Sequence, residues 1–376
     1  MGLQYKVRTS SIEERTLELH FDSPKAPEQT EFRGTFFPAE WFPQSGVQLT
    51  WPHAGTDWSH ILPEVTACYL RMAYEIASHE PLLIVTPERE RVEELLKEQL
   101  PSKLLEQIRW GDCPTNDTWA RDHGFITLLS ENGPQLLDFS FNGWGMKFAA
   151  NEDNQINRRL MTQGLFNGEY HNLLNFVFEG GSIESDGCGT LLTTAECLLS
   201  PNRNDHLTRA DIEQKLKELL HAERVLWLDH GYLAGDDTDS HIDTLARFCP
   251  DNTIVYVKCE DQEDEHYNEL RLMEEQLKTF RTLKDEPYRL LPLPFPEAIY
   301  DEDGLRLPAT YANFLVINDA VLVPTYNQPI NDNAAIKVLQ EAFPKHTVTG
   351  IDCRVLIRQH GSLHCCTMQF PVSVLK

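Results

Sequence analysis

The sequence predicts an α/β fold, on two observations. Apolar residues at three-and-four spacing, the mark of a helix with one buried face, fall at about 60–78, 88–107, 207–221, 264–282 and 332–343; Val92, Leu95, Leu96 and Leu100 show the pattern. Short apolar or alternating runs separate them, at Leu82–Val85, Gly124–Leu129, Thr190–Thr194, Thr253–Val257, Phe314–Ile317 and Ala320–Val323. Strand alternating with helix is the α/β pattern. The second observation is a period. Trp51, Asp122, Glu179, His241, Asn313 and Cys365 stand 52 to 72 residues apart, which suggests a strand-strand-helix-strand unit repeated around an axis where strand ends converge.

Residues 1–33 are polar, carry Pro24 and Pro27, and read as an N-terminal arm. The body begins near Phe36, and its first strand, Gly46–Trp51, stops at Pro52. Farther on, one pairing occurs twice: a strand ends at a polar residue, a turn follows, and a second strand runs to another turn. Phe176–Glu179 then Gly189–Thr194 is one copy, and Tyr311–Asn318 then Asp319–Pro324 is the other. No stretch rich in Gly or Ser divides residues 34–376, so they are expected to form one domain.

Of the 376 residues, 41% are hydrophobic and 24% charged, the balance of a globular chain able to bury a large core. A net charge of −25 repels phosphate backbones and no basic stripe offsets it, which excludes nucleic acid as a partner. The same charge attracts cations such as a guanidinium or a polyamine. Nine cysteines at irregular spacing, with no CxxC, fit neither a disulfide framework nor a structural zinc site. The N-terminus lacks the apolar segment of a secretory signal, and Lys6 stands where myristoylation asks for Ser or Thr. No run approaches the ~18 apolar residues of a membrane span. The expected location is the cytoplasm, with no membrane partner.

Three segments concentrate groups capable of chemistry. Arg358–Thr367 crowds two histidines and two cysteines around Gly361-Ser362, ahead of a predicted strand. A strand entering from a turn can present its first side chain in a cleft; two buried thiols account equally for Cys365 and Cys366. A metal would need His360, His364 and a cysteine in tetrahedral reach. Side chains alternate along a strand, so adjacent His364 and Cys365 are expected to diverge and Cys366 to pack on the opposite face. In Asp236–Asp243, read as a strand, His241 and Asp243 share a face, which sets an acid/base histidine beside a carboxylate. A solvated acidic turn is the alternative, although the apolar Leu245, Ala246 and Phe248 draw His241 toward the core. Asn116–Gly124 puts Asp122 where a turn becomes a strand, and Glu179 precedes Gly180-Gly181, a bend with no side chain in the way. A surface ion pair would explain Arg121 and Asp122, and core packing would explain Trp119.

Taken together, these pieces match a family. Asp117-Thr-Trp-Ala-Arg-Asp122, Glu179-Gly-Gly-Ser-Ile183, Gly189–Leu199, Asp237–Asp243 and Gly361-Ser-Leu-His-Cys365 resemble, in this order, the hallmarks of the agmatine deiminases, which group with the Porphyromonas-type peptidylarginine deiminases. So do Trp51-Pro-His53, Phe141-Asn-Gly-Trp-Gly145 and Tyr311-Ala-Asn-Phe314. The resemblance runs from about residue 34 to the end. It implies a five-bladed α/β-propeller of the guanidino-group-modifying superfamily, with its active site at the central axis. It also implies roles: Asp122 and Glu179 hold the guanidinium, His241 is the general acid and base, Asp243 is a second carboxylate, and Cys365 is the nucleophile. Trp119, Asn313 and Trp144 would line the substrate site. No metal or organic cofactor is called for, and a homodimer is the expected assembly.

Physical chemistry suits those roles. A planar guanidinium offers paired N–H donors that carboxylates grip bidentately, and burying it requires compensating negative charge. The bound cation would favour the thiolate of the attacking cysteine. The implied reaction is hydrolysis of agmatine to N-carbamoylputrescine and ammonia through a thiouronium on Cys365. Four positions depart from the family: Gln359 and His360 replace two glycines of a triple-Gly lead-in, Ser240 stands for Gly, and Ser362 stands for Asn. Phe141–Phe148 has no Arg to hold a substrate carboxylate, which points to agmatine over peptidylarginine or free arginine; Lys147 is the one cation there. An amidinotransferase, a zinc protein and an inactive polyamine-binding scaffold are the competing classes.

Overall fold

In the computed structural model, which describes residues 34–376, the stretch from Leu315 to Asp352 shows how the chain is built. Leu315–Ile317 and Ala320–Thr325 pair antiparallel, with Ile317 opposite Ala320. Between them Asp319 takes φ 61°, a left-handed conformation that Asp tolerates better than most residues. The helix Pro329–Ala342 follows. Pro329 opens it where no amide hydrogen is needed, and Ala335, Leu339 and Ala342 turn inward. The chain returns as Thr347–Asp352, parallel to Ala320–Thr325, the neighbour a helical crossover produces.

The described residues form five such sheets. Ile126–Ser130, Gly133–Ser140 and Glu169–Val177 repeat the unit around the helix Ile156–Thr162. Glu184–Ser185, Thr190–Thr194 and Arg224–Leu228 repeat it around Arg209–Leu219. Ala246–Cys249, Thr253–Lys258 and Arg289–Pro294 do so around Tyr267–Leu277. In the remaining sheet the unit is assembled from both ends of the chain. Thr367–Pro371 pairs antiparallel with Gln44–Thr50, and Leu82–Thr86 joins in parallel after Leu62–Ala77. Ile108–Asp112 adds a fourth strand there. Each sheet therefore opens on a strand, and ahead of those strands lie Asp122, Glu179, His241 with Asp243, Asn313 and Cys365.

Apolar side chains fill the space between sheets and helices. The largest cluster gathers Trp51, Trp58, Tyr69, Phe314 and Phe343, and each fully buried Leu, Ile or Phe contributes ~1.5–3 kcal/mol. The helix expected over 88–107 is two helices, Arg89–Gln99 and Ser102–Leu105, because Pro101 holds Leu100 extended at ψ 145°. The arm expected over 1–33 lies outside the described residues. All nine cysteines are free thiols, and among the described residues no helix is long and apolar enough to cross a membrane.

Candidate active site

Gly181 measures how closely the residues ahead of the strands meet. A β-carbon added there would lie 2.5 Å from His241 Nδ1, 2.8 Å from Asp122 Oδ1 and 3.2 Å from Asp243 Oδ2. No side chain fits, so the bend after Glu179 is what lets three titratable groups from two other sheets converge. The Gly181 amide donates to Asp122 Oδ1 at 2.9 Å, and Trp144 Nε1 donates to Oδ2 at 3.0 Å. Burial raises the Asp122 carboxyl to about 6; the charges of Asp243 and Glu179 add to the rise and His241 opposes it.

His241 Nε2 lies 3.0 Å from Glu179 Oε2. Its Nδ1 is 3.6 Å from Asp122 Oδ1 and, among the described residues, has no hydrogen-bond partner. Burial alone would favour the neutral ring, but Asp122, Cys197 and Glu179 outweigh it and raise the imidazole well above its ordinary value. Arg203 Nε donates to both Glu179 oxygens, at 3.1 and 3.0 Å. Burial would lift Glu179, yet His241 and Arg203 hold it below the usual range. Both Glu179 oxygens are thus taken. The carboxylate stands against His241, with Arg203 on its other side. The strand reading of Asp236–Asp243 is corrected. His241 precedes a 3₁₀ turn, Ile242–Thr244, and the strand begins only at Ala246. Thr238 Oγ1 accepts the His241 amide and Thr244 Oγ1 donates to its carbonyl, so local hydroxyls fix the turn.

Cys365 also sits in a turn, ahead of the strand that starts at Thr367. His364 and Cys365 therefore do not diverge. His364 Nδ1 is 2.7 Å from Asp243 Oδ2, and Cys365 Sγ is 4.0 Å from the same oxygen. Asn313 Oδ1 accepts the amides of His364 and Cys365 at 2.9 and 3.3 Å and lies 3.4 Å from Sγ. Asn313 thereby shapes the turn that carries Cys365. Burial, then the Asp243 and Asp122 charges, push the Cys365 thiol well above its ordinary value. Burial would also raise Asp243, but His364, His241 and Arg247 hold it low, and its buried Oδ1 has no partner among the described residues. Cys366 is buried against Tyr69.

Cys365 and Asp122 open into a cleft walled by Trp119, Trp144 and Phe148 and lined also by Asp57, Asp237 and Asp117, whose carboxyl burial raises to about 7. Trp144 reaches Asp122 from a left-handed turn, φ 55° at Trp144 and 81° at Gly145. Trp119 lies edge-on to it, ring centres 6.5 Å apart. A β-carbon on Gly361 would strike the Trp119 ring at 2.2 Å, so this glycine of the lead-in is the one the packing requires. His360 adopts φ 65° itself and brings Nδ1 within 2.7 Å of the Gly235 carbonyl. Lys147 Nζ donates to the Asp237 carbonyl and to Asp239 Oδ1, each at 2.7 Å.

The structure thus gathers all eight residues named from the sequence. It adds Arg203 and Cys197 beside Glu179, and His364, Glu40 and Arg247 behind Asp243. Glu179, Cys197 and His241 bring possible ligand atoms within 4.8 Å of one another, where the Arg203 guanidinium already supplies positive charge.

The family model described as Porphyromonas-type peptidyl-arginine deiminase matches residues 36–371. A Legionella pneumophila protein provisionally named agmatine deiminase is 35% identical over 356 residues, 93% of this chain and 97% of that protein. A crystal structure of a Porphyromonas gingivalis protein provisionally named arginine deiminase is 55% identical, with a TM-score of 0.86, covering 91% of this chain and 100% of that one. The C. jejuni agmatine deiminase with a Cys-to-Ser change and substrate bound is 39% identical, with a TM-score of 0.82, covering 93% of this chain and 100% of that one.

Proposed function

Because the chain belongs to the Porphyromonas-type peptidyl-arginine deiminase family, and is thereby a hydrolase of carbon–nitrogen bonds, we propose that it is an agmatine deiminase whose five sheets are the blades of a propeller around the site. The observation that carries this reading is the convergence of Asp122, His241 and Asp243 on Gly181, with Cys365 beside Asp243. Two buried carboxylates facing one point favour a buried cation. Asp122 and the free Oδ1 of Asp243 grip the guanidinium. Its charge offsets the two carboxylates that hold the Cys365 thiol protonated, so substrate binding promotes the thiolate.

The Cys365 sulfur then adds to the guanidinium carbon. His241, through its unpaired Nδ1, protonates one nitrogen, the carbon–nitrogen bond breaks, and ammonia leaves with a thiouronium on Cys365. His241 next takes a proton from water, whose oxygen adds to the same carbon. The carbon–sulfur bond breaks as the hydroxyl proton passes to the departing sulfur, which returns the Cys365 thiol, leaves His241 protonated for the next turnover and releases the ureido product. Glu179 and Arg203 fix the imidazole. No metal takes part, so a chelator leaves turnover unchanged. Asp57 and Asp237 in the cleft suit agmatine's second cation, and the one lysine in Phe141–Phe148 is tied to Asp237 and Asp239. The 55% identical structure named as an arginine deiminase keeps arginine as the second reading.

Ammonia release from agmatine, free arginine and an arginine peptide separates the readings. Turnover of agmatine, lost in Cys365→Ala, is expected. Preference for arginine or the peptide moves the substrate assignment, and release from none of the three overturns it.

A further inference from the structure

Behind the nucleophile turn lies a run of buried charge that, Asp243 apart, the proposed reaction leaves unused. His364 Nδ1 is 2.7 Å from Asp243 Oδ2, and its Nε2 is 2.7 Å from Glu40 Oε2. An ionised carboxylate can only accept, so both ring nitrogens must donate, and only the imidazolium has two N–H groups. Arg247 Nη2 donates one of its two hydrogens to Glu40 Oε2 at 2.9 Å and stands 3.1 Å from His364 Nε2, whose own 2.7 Å approach to the Glu40 carboxylate still requires an N–H on Nε2. Arg247 also donates through Nε to Glu184, and Arg121 Nη2 stands 3.7 Å from Glu40 Oε2. Asp243, Glu40 and Glu184 carry three negative charges against two on Arg121 and Arg247, and a positive His364 balances the set. All six side chains are 8% exposed or less, where an unbalanced charge is costly. Glu40 is itself fixed, because its Oε1 accepts the Val316 amide at 2.7 Å.

We propose that His364 is a positioning residue of this site: acting through Asp243, it holds Oδ2 and offsets its charge, leaving Oδ1 free for the guanidinium and easing ionisation of Cys365. The proposal rests on the deiminase reading given above. The His364 backbone is held separately, its amide on Asn313 Oδ1 at 2.9 Å, so side-chain changes leave the turn anchored.

Two isosteric substitutions separate positioning from packing. In His364→Asn the amide nitrogen falls near the Nδ1 position and can still donate to Asp243. In His364→Gln it falls near Nε2 and can serve only Glu40. With agmatine as substrate, His364→Gln is expected to lose ~10- to 100-fold in kcat/KM, the usual cost of removing an outer partner that orients an active-site group, and His364→Asn to lose clearly less at a matched melting temperature. Equal losses that follow the melting temperature, or no loss in either variant, overturn the proposal.

A second readout needs no substrate: iodoacetamide labelling of Cys365, followed by mass spectrometry from neutral to alkaline pH. The half-labelling pH should move upward in His364→Gln and less in His364→Asn. Identical curves in all three proteins contradict the action of His364 on Cys365. If the wild type turns over no guanidine but the labelling shifts as expected, the functional reading fails while the coupling of His364 to Cys365 stands.

Discussion

Gly181 and Asp122 carry the tightest constraints in the site. A methyl group on Gly181 would meet His241 Nδ1 at 2.5 Å and Asp122 Oδ1 at 2.8 Å, so Gly181→Ala should abolish detectable turnover while costing ~1–3 kcal/mol of stability, the range of overpacking. Chemical denaturation and ammonia release measured together check both halves. Asp122 has to be ionised to grip a guanidinium, and burial raises it from 3.8 to about 6. The kcat/KM of the wild type should therefore rise as pH passes upward through about 6. Asp122→Asn should lose that acid limb and fall by ~10- to 100-fold or more, the worth of a hydrogen bond to a charged group. The same shift acts on folding in the opposite sense. The folded state keeps a proton that the unfolded chain has lost, so Asp122 withdraws stability as pH rises between those two values.

At the scale of elements, the sequence is most readable where a strand is buried on both faces. Thr190–Thr194 and Leu82–Thr86 are wholly buried and stand out as unbroken apolar or alternating runs. The third strands are not readable. Glu169–Val177, Arg289–Pro294 and Thr347–Asp352 lie at sheet edges, half exposed, and Pro292 and Pro294 disguise one of them, as an edge position permits. The site divides in a similar way. Residues beside a Gly bend or a strand start were visible as Asp122, Glu179 and Cys365. Arg203 was not, because it lies in a loop without periodicity whose course is set by Asn204 pairing with Val177, 27 residues earlier. Glu40 meets its partner Val316 across 276 residues, a separation no local pattern encodes.

The joint between two sheets is testable through Glu80. It accepts the Asn318 amide at 2.7 Å, and burial raises its carboxyl from 4.5 to about 8. The protonated form is the one the fold prefers, so wild-type stability should decline as pH rises from about 4.5 to 8. Glu80→Gln removes that dependence. Thermal melts should show the variant more stable by several degrees at mildly alkaline pH and equal to wild type in acid.

For the molecule as a whole, the chain carries a net charge of −25, and Asp57 and Asp237 line the cleft. Such a field raises the local concentration of a doubly charged cation and is screened over about 10 Å at 0.1 M salt. The kcat/KM for agmatine should fall several-fold as salt rises, with kcat nearly constant, as steady-state kinetics at matched pH would show. On the proposed reading, groups ahead of five separate sheets within residues 34–376 supply one site, and one of those sheets is closed only when Thr367–Pro371 meets Gln44–Thr50. The central claim is covalent catalysis at Cys365. Wild-type protein mixed with agmatine, acid-quenched during turnover and digested for mass spectrometry should carry the mass of agmatine less ammonia on the peptide containing Cys365, on that sulfur and not on Cys366. Sustained ammonia release with Cys365 unmodified, or with the adduct on another residue, would contradict the account.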